Sequence, residues 1–401
     1  MDSRSHSESH EIFFQDIFIK IIFLLSRFVG IFPCRYRNGQ FFASIPLCIW
    51  SFLMACLMTF CTVFFHINLF IPESRVKLLL ADTLTQLIVA LWFCFCLWVL
   101  YMVAVTNSVL RMRHINRILL GLNEVDRQLA ILEIRRDWRQ KAKYFAKTYF
   151  VGLMVAILYP VNSPLISLCR FMKVPLFLPA VSIWLCSAQF TSLADQITLR
   201  LDEICLALND IVLTRHFSIS DKKLVTLSHA QDKLCDICII LDGSYAWIIT
   251  CIISACFNGV FIPLYLVLTA VCQKGLNANL IGSTICWSTI SLHTVWHIVS
   301  TTSGISMKLR GFNLTLYKLM MSDKRNEVLQ NSKLRLHISM QREVVFTAKG
   351  FFKLDYTLIQ WMLASAATYL VILIQFTSPD EESAIDILKL DVNTTIPFDY
   401  E

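Results

Sequence analysis

The chain has 401 residues, of which 56% are apolar and only 16% charged, with 29 phenylalanines and a formal net charge of +7. A soluble domain carries about 25% charged residues, so the composition excludes a water-soluble enzyme or regulatory module and indicates a polytopic membrane protein. The sequence holds no P-loop, Gly-x-Ser-x-Gly or His-Glu-x-x-His pattern, and no nucleic-acid-binding motif accompanies its positive charge.

In chain order, residues 12–33 are apolar but interrupted by Asp16, Lys20 and Arg27, with no small-residue cleavage site after them. This reads as an amphipathic helix at the inner membrane face rather than a signal peptide. Charge-free windows follow at 38–72, 83–110, 148–169, 174–194, 243–273, 275–307 and 356–379. Each is long enough for a spanning helix of roughly 20 residues. In lipid every backbone group must be satisfied within its segment, so the windows read as α-helices. The expected fold is an all-α membrane protein with spans at about 45–70, 83–106, 148–169, 175–194, 246–272, 280–304 and 356–377. Residues 1–40 form a cytoplasmic N-terminus, 41–379 the seven-helix domain and 380–401 an acidic extracellular tail.

Orientation follows from the cations. Thirty of the 36 Lys and Arg fall before residue 38 or in 111–147, 195–242 and 308–355; the others are Arg75, Lys77, Arg170, Lys173, Lys274 and Lys389. The positive-inside rule then puts the N-terminus in the cytoplasm and the C-terminus outside, the reverse of a G-protein-coupled receptor. The acceptor Asn393-Thr394-Thr395 agrees with a lumenal tail, whereas Asn313-Leu314-Thr315 falls on the inner side and should stay bare.

The long inner segments are amphipathic. Ile197, Leu201, Ile204, Leu208 and Ile211 recur at helical spacing, as do Leu224, Leu227, Leu234 and Ile237, and further on Leu316, Leu319, Leu329, Leu334 and Ile338. The membrane helices are therefore expected to continue as a cytosolic helical layer. Such stripes must bury against something. One chain offers little partner surface there, which points to association between subunits; packing inside one subunit is the alternative.

Cysteines inside spans read as small apolar residues. Cys235 and Cys238 have metal or redox spacing but lack the second pair a zinc site needs, and His293 with His297 supply only two ligands, so both pairs read as packing residues. No metal or cofactor is expected. Cys169 and Cys272 lie near the outer face and form a candidate disulfide.

Outer-half polar and aromatic residues are candidate ligand contacts. They include Asp82, Gln86 and Trp92, then Tyr159 and Asn162, Ser182 and Trp184, Asn258, Phe261 and Tyr265, and Ser283, Trp287 and Ser291. Trp92, Tyr159, Asn258, Tyr265, Trp287 and Ser291 form the working set. Aromatic faces stack on rings and small polar groups fix hydroxyls, although Trp and Tyr also collect at membrane interfaces. Pro263 should kink the fifth span beside Tyr265.

The last span ends in Thr368-Tyr369, five aliphatic residues, then Gln375-Phe376. Ser365, Thr368, Ile372 and Gln375 share one helical face. Spacing alone fits a pore lining and interhelical hydrogen bonding equally well. Asp380, Glu381 and Glu382 follow.

These residues resemble the insect gustatory receptor family. The Thr-Tyr, five aliphatics, Gln-Phe segment matches the signature of that family. Upstream, Phe346–Ile359 (FTAKGFFKLDYTLI) resembles the segment that precedes the signature in that family, with Gly350, Phe351, Phe352, Leu354 and Asp355 in matching places. Leu24–Pro33 (LLSRFVGIFP) resembles an N-terminal segment of the family, and the overall seven-span pattern covers the chain. The resemblance implies a ligand-gated, non-selective cation channel of chemosensory neurons, placed in the plasma membrane, that detects a small-molecule tastant such as a sugar or bitter compound. It implies a homotetramer, or a heterotetramer with related receptors, anchored through cytosolic helix extensions. The ligand pocket would lie among spans two to six and open outward, with monovalent and divalent cations as permeants. On that implication the seventh helices surround the pore. Ile372 would gate by dewetting, Gln375 would replace water around a cation, and Phe376 would pack behind it or close the constriction. Asp380, Glu381 and Glu382 would form an outer ring that concentrates cations, or else a solvated tail. The competing functions are a G-protein-coupled chemosensory receptor, opposed by the charge asymmetry, and a transporter, opposed by the lack of internal repeats and midplane charges.

Overall fold

The computed structural model describes residues 19–37, 40–70, 84–132, 149, 152, 173–214, 217–273, 278–322, 331–340 and 342–376. The described part of α1 is 19–28. Then come β1 Cys34–Arg37, β2 Gln40–Ala43, α2 Ile45–Phe70, α3 Leu84–Thr106 and α4 Ser108–Ile131. The chain continues with α5 Lys173–Thr214, α6 Phe217–Gln273, α7 Ala278–Ser322, α8 Ser332–Met340 and α9 Tyr356–Phe376.

Helix length organises the molecule into two layers. The 26 residues of α2 and 23 of α3 carry no charge and match a bilayer. By contrast α5, α6 and α7 have 42, 57 and 45 residues. At 1.5 Å per residue these are about 63, 85 and 68 Å long, against a hydrocarbon core of about 30 Å. Their charge-bearing halves therefore continue beyond the apolar layer and pack with α4 and α8. Ile197, Leu201, Ile204 and Leu208 of α5 are buried there with Leu224, Leu227, Leu234 and Ile237 of α6 and Leu316 and Leu319 of α7. These stripes are covered within one chain, which corrects the expectation that a single chain offers them little partner surface. Arg200 clamps α5 to α4 by two bonds to Asp126, 2.8 and 2.7 Å long, and Lys308 of α7 pairs with Asp202 of α5 at 2.6 Å.

The helix expected over residues 12–33 stops at 28. Gly30 takes φ +82°, a backbone conformation open to glycine, and the chain turns into an antiparallel hairpin with register Cys34↔Ala43 to Arg37↔Gln40. The hairpin was not anticipated, though Asn38-Gly39 between two short apolar runs is the sequence signal for one. A side chain pins it in place: Asn116 of α4 accepts from the Phe41 N–H and donates to the Phe41 carbonyl, both at 2.8 Å, imitating a strand partner. Phe23, Phe32 and Phe41 close the joint with ring centroids 4.7–5.3 Å apart. One face of α1 thus packs into the core through Ile22 and Phe23, while Ile21, Leu24 and Phe28 remain exposed.

Arg111 stands at the centre of this junction. Helices α3 and α4 meet at a 57° bend, and Arg111 lies in the first turn after it, 1% exposed. Its Nη2 donates to the carbonyls of Ile31 at 3.0 Å and Ala104 at 3.2 Å. Nη1 lies 3.9 Å from Cys186 Sγ of α5. The guanidinium carbon sits 5.4 Å from the Tyr245 ring of α6 and 6.0 Å from the Phe32 ring. Replacing Arg111 by Met keeps the volume but leaves two buried carbonyls without donors. We expect a loss of about 2–4 kcal/mol, read as a lower thermal midpoint of the purified protein in detergent. Arg111→Lys, which cannot reach both carbonyls and both rings, should fall between. A Met variant that melts with wild type would remove Arg111 from this role.

Candidate functional site

Two places gather the candidate residues: the exposed side of α9 and a cavity between α5, α6 and α7. Asp355 starts α9 by accepting from the Thr357 N–H at 3.0 Å and from its hydroxyl. Among the described side chains of α9 only a narrow stripe, Leu358, Met362 and Ala366, is buried, against α6 and α7. Thr368, Ile372 and Gln375 are exposed, and Ser365 is half-buried at the edge of the packed stripe. Gln360, Ala364, Ala367 and Val371 are exposed as well and extend the uncovered face beyond the stripe read from sequence. Thr368 spends its hydroxyl proton on its own helix, donating to the Ala364 carbonyl at 3.0 Å. Phe376 ends the helix, but its side chain lies outside the described residues.

The cavity is lined by Ala180 and Ile183 of α5, Cys256 of α6, and Trp287, Ile290, Ser291 and Thr294 of α7. Its volume is about 20 Å³, room for roughly one water. Trp287 and Ser291 from the working set meet here and are buried. Sequence reasoning missed the other lining residues: small and aliphatic side chains in an apolar helix carry no signal. Phe93 of α3 sets its ring against Trp287 at 5.9 Å. A Cβ built on Gly259 of α6 would lie 2.5 Å from both Ser291 Oγ and Trp287 Nε1. The bare backbone at Gly259 is therefore what lets α6 approach α7 beside the cavity.

Other candidates fall elsewhere. Asn258 is buried and donates to the Ser254 carbonyl at 2.9 Å, with Cys96 Sγ of α3 at 3.7 Å. Tyr265 is buried without lining the cavity, and Trp92 is 55% exposed beside Phe95 of its own helix. Tyr159, Asn393, Asp380, Glu381, Glu382 and Cys169 lie outside the described residues, as does the side chain of Cys272.

The two places share α6. Cys256 and Gly259 face the cavity, while Phe257 and Phe261 meet Tyr369 of α9 with centroids 6.3 and 6.1 Å apart. In the charge-bearing layer, burial pushes the Cys235 thiol up to about 11 and that of Cys238 well above its usual range. Neither is a thiolate at neutral pH, which disfavours redox or metal chemistry. Among the described residues no cluster of three or more His, Cys, Asp and Glu is placed to hold a metal. His293 and His297 stack on each other, and Tyr149 lies across His297.

Comparison with known proteins gives three findings. A family model described as 7tm chemosensory receptor matches residues 19–378. Gustatory receptor 28a of Drosophila melanogaster is 26% identical over 156 residues, covering 37% of this chain and 34% of that protein; the chain thus spans about a third of this relative's length. The structure of the insect olfactory receptor OR5 from Machilis hrabei superposes with TM-score 0.67 at 12% identity, over 90% of this chain and 98% of that one. The same receptor in complex with eugenol superposes with TM-score 0.61 at 14% identity and the same coverage. At these identities the likeness carries the fold, an all-α membrane architecture.

The cavity wall makes a paired prediction. Gly304 of α7 is also helical, but a Cβ there meets nothing within 4 Å. Gly304→Ala should stabilise by up to about 1 kcal/mol through helix propensity. Gly259→Ala must displace the Trp287 indole and should destabilise by about 1–3 kcal/mol. Thermal midpoints moving in the same direction would contradict this reading of Gly259.

Proposed function

The chain belongs to the 7tm chemosensory receptor family, and from that premise we propose that it is a gustatory receptor acting as a ligand-gated, non-selective cation channel for a small-molecule tastant. The family is one of receptors rather than enzymes. The observation that carries the channel reading is the bareness of α9. Among the described side chains of this 21-residue membrane helix only Leu358, Met362 and Ala366 are buried; Tyr369 touches α6 from the edge, and Thr368, Ile372 and Gln375 are left uncovered. A polar face in lipid is costly unless it meets water or other subunits. Four such helices around an axis satisfy it: amides of Gln375 and hydroxyls of Thr368 face permeating ions, and Ile372 forms the dewetting constriction. Ser365 borders the lining, and Phe376 and the acids Asp380, Glu381 and Glu382 stand at its outer mouth. The G-protein-coupled reading gains no support from the matched family.

The tastant, a sugar or bitter compound, enters at the cavity of Trp287 and Ser291. A drug-sized ligand occupies pockets of about 300–1,000 Å³, far above the present volume of about 20 Å³. The closed cavity is accordingly the resting state, and the ligand selects a state in which α5, α6 and α7 part. Because α6 holds Tyr369 through Phe257 and Phe261, its displacement reaches α9. The receptor works in the plasma membrane of chemosensory neurons as a homotetramer, or with related subunits.

Four recordings in cells expressing the chain test this. Ile372→Ala should raise the ligand-free leak current severalfold, and Gln375→Ala should change single-channel conductance. Trp287→Ala should shift the half-maximal tastant concentration at least tenfold, roughly 1.4 kcal/mol, with conductance unchanged. Conductance and leak both at wild-type levels in the two α9 variants would exclude this helix as the pore. Tyr369→Ala should leave conductance intact but reduce the open fraction at saturating tastant; full efficacy would break the proposed link through α6.

A further inference from the structure

Between α8 and α9 the chain forms a tight loop outside both the cavity and the exposed face of α9. Thr347 and Lys353 make an antiparallel bridge, and the Ala348 N–H donates to the Phe352 carbonyl at 3.0 Å. Lys349 and Gly350 turn the chain with φ of 54° and 81°, consecutive left-handed residues that throw the next side chain outward. The result is a rigid tip, Lys-Gly-Phe-Phe-Lys, with Phe351 70% exposed between exposed Lys349 and Lys353.

The loop's depth is set by what holds its base. The Thr347 N–H donates to Asp242 of α6 at 3.0 Å, and Thr302 of α7 donates to the Leu354 carbonyl at 2.7 Å. Both contacts fall where the charge-free windows of α6 and α7 end. Trp247, Trp296 and Tyr356 ring the same level, all exposed, with Trp296 and Tyr356 5.4 Å apart. Such a belt marks the boundary between acyl chains and headgroups. Lys349 Nζ sits 5.5 Å above the Trp247 ring. The nearby acids are engaged, Asp242 with Thr347 and Asp355 with Thr357. Among the described residues no carboxylate lies within ion-pair distance of Lys349 or Lys353.

An exposed aromatic tip between two cations at headgroup depth is complementary to one kind of surface. We propose that loop 347–353 is a binding site for an anionic phospholipid of the leaflet on the cation-rich side. Phe351 enters the acyl region, and Lys349 and Lys353 grip the phosphate and headgroup carboxylate. The site ties the first turn of α9 to the membrane surface. It stands independently of channel activity.

Native mass spectrometry of the full-length protein in neutral detergent, titrated with phosphatidylserine or phosphatidylcholine, tests the site. Wild type should bind phosphatidylserine at least tenfold more tightly. Lys349→Gln with Lys353→Gln should weaken phosphatidylserine binding about thirtyfold, and the corresponding double Arg variant should retain it. Phe351→Ser should weaken both lipids about tenfold. Equal wild-type affinity for the two lipids overturns the proposal even if no variant folds, as does an unaffected Gln variant. Displacement of the lipid by millimolar free phosphoserine would reassign the site to soluble anions. A drop in assembly mass in the Phe351 or Gln variants, with lipid preference unchanged, would make the loop a contact between copies and equally overturn it.

Discussion

Arg111 has to keep a positive charge inside an apolar interior, and the junction of the two layers is arranged around that requirement. Burying an isolated cation costs several kcal/mol even after relaxation. Among the described residues no carboxylate offsets it. Two backbone carbonyls, a sulfur and two ring faces do so instead, drawn from the turn after α1, the end of α3, α5 and α6. To present the Ile31 carbonyl the chain must turn at Gly30. To bring Arg111 within reach of the Ala104 carbonyl, α3 and α4 must bend where they meet. A charge is thus satisfied only when four separate segments are in register.

From that junction the long helices run both ways, and α6 is the one that links every part. At its charge-bearing end it is bound to the segment ahead of α9. His337 of α8 contacts Asp232 at 2.9 Å and Gln231 at 2.8 Å, and Arg342 donates to Asp236 at 2.5 Å. Thr347 is held by Asp242 further along. In the apolar layer the same helix forms a wall of the cavity and carries the aromatic pair that meets Tyr369. It is a single helix of 57 residues with Pro263 inside it. The same helix thus contacts the chain on both sides of the start of α9, by polar groups before it and by aromatic rings along it.

The parts of this molecule that were legible in sequence are those with a period or a composition. Among the described residues the uncharged windows lie mostly in helices, because an apolar run leaves its backbone no better partner than itself. The stripes through Leu201 and Leu234 were legible because helical spacing repeats, yet their burial within one chain was not, since a stripe does not name what covers it. The hairpin had a two-residue signal, Asn38-Gly39, outweighed by the apolar character around it. Of the ligand candidates, Trp287 and Ser291 converge on a cavity and Trp92 points outward, although all three are typical of outer-half helix residues. Nothing local separates them; the rotation of each helix against its neighbours does.

The sequence by itself determined the class of molecule: charge-free windows, cations crowded at one set of helix ends and a polar signature in an aliphatic final helix follow from composition and order alone. Long-range packing decided that Arg111 is buried rather than one more cation at the cation-rich helix ends, that Gly259 is a point of helix contact and Gly304 is not, and that most of the described side chains of α9 are left bare. The reason is physical. Periodicity reports what a residue does to its own helix, whereas solvation of a buried charge, the closeness of two helices and the shape of a cavity depend on atoms far away in the chain.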